Sequence, residues 1–180
     1  MTDLRHTQIE TTLGDLTLVA DGEQLTGLYF PKHWHLPEAS LSGERVNADT
    51  DDVFVLAKAE LDEFLAGERK TFDLPVRTQG DEFSERVWAM LCEIPYGETT
   101  TYGVLAARLG NRRLAQCVGQ AVGRNPVSIV APCHRVVGAG GSLTGYGAGL
   151  DRKRFLLELE EPAGITGLAT VLESWTSRFT

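Results

Sequence analysis

The N-terminal part of the chain alternates short apolar runs with polar turns. Apolar residues occur at every second position in residues 16–19 and 28–30, which is the period of a strand with one buried face. Turn-forming pairs stand between such runs, at Gly14-Asp15 and Asp21-Gly22. The pattern predicts short strands joined by turns.

A loop, a helix and another strand follow. Residues 31–51 are rich in Pro, Ser, Gly and acidic residues, and they predict a loop. In residues 52–66 the apolar positions take helical spacing. Residues 72–76 predict one more short strand, which Pro75 restricts to a sheet edge. Residues 1–80 therefore predict a small mixed α/β lobe.

From about residue 81 the pattern becomes that of short helices. An amphipathic helix spans residues 83–91, and Thr100 or Thr101 can cap a second helix. A third helix is predicted over residues 112–122. Two short helices joined by a Gly-containing turn fit a helix-turn-helix. Residues 81–160 thus predict a mainly helical lobe, followed by a C-terminal tail.

The third helix separates an apolar face from a polar one. Long polar side chains on the outer face are what a helix reading a DNA groove presents, although a plain helical hairpin with a solvated face remains the alternative. The residues predicted to face the core are Leu114, Cys117, Val118, Ala121 and Val122, and those predicted to face outward are Arg113, Gln116, Gln120 and Arg124.

Charge is unevenly distributed over the 180 residues, whose formal net charge is −8. Residues 101–154 hold eight basic residues and one acid, a net charge of +7, whereas the rest of the chain holds nine basic and 24 acidic residues, a net charge of −15. A basic third on an acidic body suggests a localised site for a polyanion. A chance cluster of solvated charges is the alternative.

Several classes of protein are disfavoured. The chain has no run of 18 apolar residues and no basic N-terminal segment followed by an apolar one, so we expect neither a membrane span nor a secretory signal. Three cysteines cannot form a closed disulfide framework, which favours a reduced, cytoplasmic protein. His33 and His35 lack a second ligand pair at metal-binding spacing, so we expect no metal site.

The strongest local signal is the run Pro132-Cys133-His134-Arg135. An imidazole and a guanidinium next to a cysteine make an electropositive setting, which favours thiolate over thiol. Neighbouring side chains meet only if the backbone turns, and Pro132 makes such a turn plausible. Cys92 and Cys117, by contrast, are predicted to be inert core or near-core residues.

A glycine-rich segment and an acidic helix follow this cysteine. Six glycines in residues 138–149 allow close approach of a flat ligand, although a flexible surface loop is the alternative. The segment matches neither a P-loop nor a dinucleotide fingerprint. Glu158, Glu160 and Glu161 are candidates to orient the imidazole of His134, and the residues alone leave the choice among them open.

These motifs resemble the O6-alkylguanine-DNA alkyltransferases, the methylated-DNA–protein-cysteine methyltransferases. The resemblance is carried by residues 132–136, Pro-Cys-His-Arg-Val, with Gly-Arg-Asn-Pro at 123–126 before them and Gly145-Tyr146 and residues 156–160 after them. It is close over residues 83–160 and extends to the N-terminal lobe only in layout. It implies a two-lobe α/β (α+β) fold, with a ribonuclease-H-like N-terminal lobe and a helical, winged-helix-like C-terminal lobe.

The resemblance also implies a reaction. The alkylated base is flipped out of the duplex, because its O6 cannot be reached within the stack. Cys133 is then the nucleophile, and His134 deprotonates it through a water while Glu160 orients His134. Asn125 holds the turn between the recognition helix and the active-site strand. Tyr102 presses on the target phosphate and donates a proton to the guanine.

Further roles follow from the same resemblance. The backbone of Cys133, Val136 and Gly147 reads the base edge, and Tyr146 lines the pocket. The family usually has an arginine finger where this chain has Gln116, which brings no charge and no stacking guanidinium. We expect weaker flipping or altered preference as a result. The basic side chains implied to bind DNA are Arg113, Arg124 and Arg135.

The sequence therefore predicts a DNA repair protein that transfers an alkyl group from O6-alkylguanine, and from O4-alkylthymine, to its own Cys133. The thioether product is stable in water, so we expect one transfer per molecule and no cofactor. The expected partner is double-stranded DNA. We expect a monomer in solution, with cooperative assembly on DNA left open. A non-catalytic lesion-binding relative and a cysteine hydrolase are the alternatives.

Overall fold

A four-stranded sheet forms the N-terminal lobe of the computed structural model, which describes residues 3–161. Its strands lie in the order β3-β2-β1-β4. The pairs β1–β2 and β2–β3 are antiparallel, and β1–β4 is parallel. The strands are β1 (Leu4–Thr11), β2 (Gly14–Asp21), β3 (Gln24–Tyr29) and β4 (Glu44–Arg45).

The predicted alternation of these strands is confirmed. Leu16, Leu18 and Ala20 are buried on one face of β2, where α1 (Asp52–Leu65) packs against the sheet. Asp51 caps this helix, because its side chain accepts hydrogen bonds from the first free backbone N–H groups. The predicted helix and the observed one coincide almost residue for residue.

Two N-terminal predictions are corrected. The stretch 31–51 is not entirely a loop, since it contains β4 and two short 3-10 turns, Ala39–Leu41 and Ala48–Thr50. Residues 72–76 do not form a strand, because only Val76 makes an isolated bridge, to Leu25 of β3.

The C-terminal lobe is mainly helical, as predicted. A two-residue parallel pair, β5 with β6, links the start of its second helix to the segment that follows Cys133. The elements are α2 (Glu82–Cys92), β5 (Thr100–Thr101), α3 (Tyr102–Arg108), α4 (Ala115–Gly123), β6 (Val136–Val137) and α5 (Leu150–Glu160).

The two central helices, α3 and α4, form the helix-turn-helix. Thr101 caps α3 through a hydrogen bond from Val104 N. Residues 112–114 form a 3-10 turn, so α4 begins at Ala115, three residues later than predicted. On α4, Val118, Ala121 and Val122 are buried as predicted, and Leu114, just before the helix, is half-buried. Cys117 is exposed, so its predicted position on the buried face is wrong.

The two lobes share one hydrophobic core, and β3 contacts the segment that leads to Cys133. Leu28 N donates to Pro126 O at 2.8 Å, and Ser128 N donates to Leu28 O at 3.2 Å. From α5, Arg152 Nε donates to Leu13 O at 2.9 Å, and its guanidinium lies over the Phe30 ring. The N-terminal sheet thus supports the active-site segment directly.

No helix within residues 3–161 has the length and apolar character needed to cross a membrane. The predicted tail, residues 161–180, lies outside the described residues except for Glu161.

Candidate active site

The candidate nucleophile lies in a tight segment held by Asn125. This residue follows α4 and is 1% exposed. Its Nδ2 donates to Ala131 O at 2.7 Å, and its Oδ1 accepts from Val127 N at 3.1 Å. One amide side chain therefore closes the segment at both ends. Between them, Ile129 adopts a φ of 72°, which a β-branched residue adopts only where its surroundings impose it.

Cys133 is buried at the start of a single 3-10 turn, Cys133–Arg135. The backbone turn that the sequence suggested after Pro132 is present. Burial raises the pKa of the Cys133 thiol, although hydrogen bonding from Asn125 and the charge of Lys153 oppose that rise. Desolvation thus outweighs the electropositive setting and disfavours the resting thiolate that the sequence suggested.

His134 is fully buried and bound to one carboxylate. Its Nε2 lies 2.7 Å from Glu160 Oε1. Of the three glutamates that the sequence left open, the structure brings Glu160 to the imidazole. Burial lowers the pKa of His134, although Glu160 opposes this shift. The ring is therefore neutral, and because Nε2 faces a carboxylate it carries the proton, which leaves the lone pair on Nδ1.

Glu160 also accepts from Arg135. Arg135 Nε is 2.9 Å from Glu160 Oε2, and its NH2 group is 2.9 Å from Glu160 Oε1. Burial alone would raise the pKa of Glu160, but the hydrogen bonds from His134 and Arg135 lower it to about 2. This carboxylate remains ionised at any physiological pH.

Arg135 lies behind the site and not on a DNA-facing surface. It is 6% exposed, its NH1 group donates to Ile94 O at 2.6 Å, and its guanidinium stacks on the Tyr96 ring. We therefore correct its predicted role as a DNA-binding residue. Its side chain supports Glu160, because the guanidinium is buried and bonded to that carboxylate and to Ile94 O.

Two tyrosines and a lysine surround the sulfur on the other side. Tyr102 OH donates to Thr144 O at 3.2 Å. Lys153 Nζ donates to the same oxygen at 2.9 Å and lies 5.9 Å from the centres of the Tyr102 and Tyr146 rings. Burial lowers the pKa of Lys153 to about 8. Lys153 was missed in the sequence, where it reads as part of a basic helix start.

Three buried polar atoms near Cys133 have no hydrogen-bond partner among residues 3–161. They are His134 Nδ1, Ser128 Oγ and Tyr146 OH. The hydroxyl groups of Ser128 and Tyr146 are close enough to the Cys133 sulfur to lower the pKa of its thiol, although neither has hydrogen-bond geometry to it. Unpaired buried polar atoms are costly, so their convergence on one side chain indicates a place where a polar substrate or a proton is handled.

An open groove of about 560 Å³ lies between the lobes, along α4. Gln116 and Arg124 line it from the helix, Tyr102 and Gly145 from the side of the sulfur, and Trp34 from the N-terminal lobe. Gln116, Arg113 and Arg124 are exposed. The structure thus brings the predicted recognition helix and Tyr102 to one surface.

The two remaining predicted residues lie in the segments that follow Cys133 and Tyr146. Val136 is fully buried in β6, where it pairs with Thr100. Gly147 follows Tyr146, and a Cβ added there would lie 2.5 Å from His33 Nε2, so only glycine fits at this approach. Within residues 3–161, no group of three His, Cys, Asp or Glu side chains is arranged to hold a metal.

The basic third of the sequence forms a smaller basic surface than its composition suggests. Arg135 and Lys153 are buried, and Arg108 forms an ion pair with Glu93. The exposed basic residues of residues 101–154 that have no ion-pair partner within 3–161 are Arg112, Arg113, Arg124 and Arg154.

Fold and site together define a two-lobed α/β protein in which a buried cysteine, backed by a histidine–glutamate pair, stands beside a helix-turn-helix. Residues 4–78 match the ribonuclease-like domain of 6-O-methylguanine DNA methyltransferase, and residues 82–162 match its DNA binding domain. The chain belongs to the methylated-DNA–protein-cysteine methyltransferase family. The predicted fold class and family are confirmed.

Individual relatives agree along nearly their whole length. The methylated-DNA–protein-cysteine methyltransferase of Methanosarcina acetivorans is 44% identical over 84% of this chain and 94% of its own. That of Mycobacterium bovis is 41% identical over 91% of this chain and 98% of its own. The crystal structure of Mycobacterium tuberculosis OGT in complex with DNA is similar with a TM-score of 0.79 and 40% identity, over 87% of this chain and 93% of that one.

Proposed function

We propose that this protein repairs alkylated DNA by transferring the alkyl group of O6-alkylguanine to its own Cys133. The observation that carries the proposal is the buried Cys133 thiol beside the neutral, carboxylate-held His134, at the edge of a groove that runs along α4. O4-alkylthymine is included as a second substrate, because it presents the same alkyl–oxygen bond on a flat base. Free thiols at all three cysteines support a cytoplasmic location.

The first step removes the thiol proton. His134 Nδ1 carries the lone pair and has no partner within residues 3–161, so it is the acceptor, reached through a water molecule. Glu160 stabilises the imidazolium that forms. The nearby charge of Lys153 stabilises the thiolate, as its effect on the thiol pKa indicates.

The second step is substitution at carbon. Cys133 Sγ forms a bond to the alkyl carbon while the carbon–O6 bond breaks, and the electron pair goes to the purine. Tyr102 OH donates a proton to the departing base. The proton that His134 took from the thiol then replaces the one that Tyr102 gave, so no net charge remains. A thioether is not hydrolysed by water, so each molecule reacts once.

Access to the buried sulfur requires the base to leave the duplex. A groove lined by Gln116 and Arg124 of α4, with Arg113 near its start, gives a surface on which double-stranded DNA can lie. Val136, Gly147 and Tyr146 then frame the everted base. Gln116 fills space but brings no charge, so we infer that flipping is weaker than an arginine would make it.

The test is mass spectrometry after incubation with duplex DNA that contains O6-methylguanine. We expect a gain of about 14 Da, on Cys133 alone, with one equivalent of DNA repaired per molecule. Cys133→Ala should bind the duplex without any gain in mass.

Different outcomes point to the alternatives. Repair of many equivalents would indicate a hydrolase, and binding of the lesion without an adduct would indicate a non-catalytic lesion-binding protein. Modification of exposed Cys117 or Cys92 would show that reactivity follows exposure and not the site geometry.

A further inference from the structure

One exposed aromatic side chain stands at the groove and has no part in the reaction just described. Trp34 belongs to the loop after β3 and is 66% exposed, so one face of its indole is free to meet a ligand. It lines the groove from the N-terminal lobe, opposite α4.

The loop that carries Trp34 is held in place on both sides. His33 is 8% exposed, and its Nδ1 accepts from His35 N at 3.1 Å. The His33 ring meets the edge of the Tyr29 ring and packs on Gly147, close to the sulfur's pocket. Lys32 adopts a φ of 57°, which turns the chain sharply just before this anchor. Trp34 is therefore presented from a fixed base.

The groove that Trp34 lines is also lined by Tyr102, whose phenol lies near Cys133. Tyr102 and Gly145 form its inner part, and Cys133 acts electrostatically on Tyr102. Its opposite wall is α4, the second helix of the helix-turn-helix, which lies within the match to the DNA binding domain. Under the proposed function, a nucleobase that leaves a duplex lying on α4 passes beside Tyr102. It then exposes a flat face that water solvates poorly.

We propose that Trp34 is a stacking platform, contributed by the N-terminal lobe, for a nucleobase that leaves the helical stack at this groove. The inference rests on the proposed function and adds a contact to it. An indole stacks on any base, and such contacts are sequence-tolerant. The contact also supplies the planar surface that Gln116, on the facing helix, does not offer.

The test compares transfer from O6-methylguanine in a duplex with transfer from the free base O6-methylguanine. Trp34→Ala should lower the ratio of the duplex rate to the free-base rate about tenfold, which is the loss of one base–aromatic stacking contact. Trp34→Phe should recover most of the ratio. Trp34→Leu should not recover it, because leucine keeps apolar area but has no ring face.

Leu41→Ala is the matched control. Leu41 is 68% exposed and lies in the same loop region, but it does not line the groove. We expect its ratio to equal that of the unchanged protein. A direct signal is also available from tryptophan fluorescence. Trp34→Phe keeps the other two tryptophans, so quenching by the duplex that disappears in this variant reports on Trp34.

Several results would overturn the proposal. An unchanged ratio in Trp34→Ala, or full recovery by Trp34→Leu, would exclude stacking. Self-association that Trp34→Ala abolishes, with an unchanged ratio, would assign the surface to a second copy of the chain. If the unchanged protein transfers no alkyl group at all, the proposed function fails; if it does and the variants match it, only this inference fails.

Discussion

The sulfur's pocket and the groove along α4 are built in opposite ways. In the pocket, His134, Glu160 and Asn125 are all buried. His134 is bound to Glu160, and Asn125 donates to Ala131 O, each at 2.7 Å. In the groove, Gln116 and Arg124 extend from a helix into solvent.

The difference separates chemistry from recognition. Groups that must handle a proton are held rigidly, where low dielectric makes each interaction strong and each loss costly. Groups proposed to meet DNA are exposed, so one polar side chain can replace another there at little cost to the fold. We therefore expect substitutions in the pocket to have large effects and substitutions in the groove to have graded ones.

The largest effect is expected for Glu160→Gln. The change leaves the buried Arg135 guanidinium without its anion and removes the carboxylate that orients His134. We expect a loss of about 3–5 kcal/mol in the free energy of unfolding, as for other broken buried ion pairs. The transfer rate of the folded fraction should fall about 100-fold. Urea unfolding and single-turnover kinetics measure the two effects.

Glu161→Gln is the control for this change. Glu161 is exposed at the end of the same helix, so the free energy of unfolding should change by no more than about 0.5 kcal/mol. The transfer rate should change by no more than about twofold, which corresponds to the same free energy. Equal losses in both variants would contradict a special role for Glu160.

An intermediate effect is expected from pH. Burial lowers the pKa of His134 below 6.5 and raises the pKa of the Cys133 thiol above 9.0. The transfer rate at saturating duplex should therefore be level from about pH 8 to 6.5 and fall about tenfold per unit only below the pKa of His134. Circular dichroism at each pH should show that the protein stays folded.

The sign of the stability change follows from the same shift. The unfolded chain binds a proton at His134 more readily than the folded one, so stability should be greatest above pH 6.5 and decrease as the pH falls below it. A rate that instead rises tenfold per unit up to about pH 9 would show that thiolate, and not neutral His134, limits the reaction.

The smallest effect is expected for Gln116→Arg in the groove. One added guanidinium should tighten duplex binding a few-fold and steepen the dependence of log K on log salt by about 0.9. The transfer rate should also rise, because an arginine can both fill the gap that the flipped base leaves in the duplex and stack on the neighbouring bases.

Gln120→Arg is the matched variant, since Gln120 lines the same groove about one turn further along α4. It should steepen the salt dependence equally without raising the transfer rate. If both variants raise the transfer rate equally, residue 116 has no special part in filling the space of the flipped base.

Much of this architecture could be predicted from the sequence, because local patterns determined it. The apolar spacing of α1 and the Asn-Pro and Pro-Cys-His-Arg runs each depend on neighbouring residues, and the structure has the helix and the turn where they were expected. The predicted strand at 72–76 is absent, because a strand needs a partner along its length and β3 pairs with this segment only at Val76.

The errors at the site share one physical cause, which is burial that no local pattern reports. Arg135 and Lys153 look like surface cations in the sequence, and Cys133 looks like a thiolate. Only the packing shows that they are desolvated. Lys153 did leave one signal, because it stands three residues before Leu156 and seven before Glu160, on the inward face of α5.

The backbone contact between Leu28 and the segment at 126–128 has a consequence for truncation. An isolated fragment that begins near residue 81 would retain the whole helix-turn-helix and every residue assigned to the reaction. It would nevertheless lose the strand that braces the nucleophile's loop, along with half of the shared core. Such a minimal fragment should collapse into a loosely ordered chain, so the acidic half of the molecule is a scaffold that cannot be dispensed with.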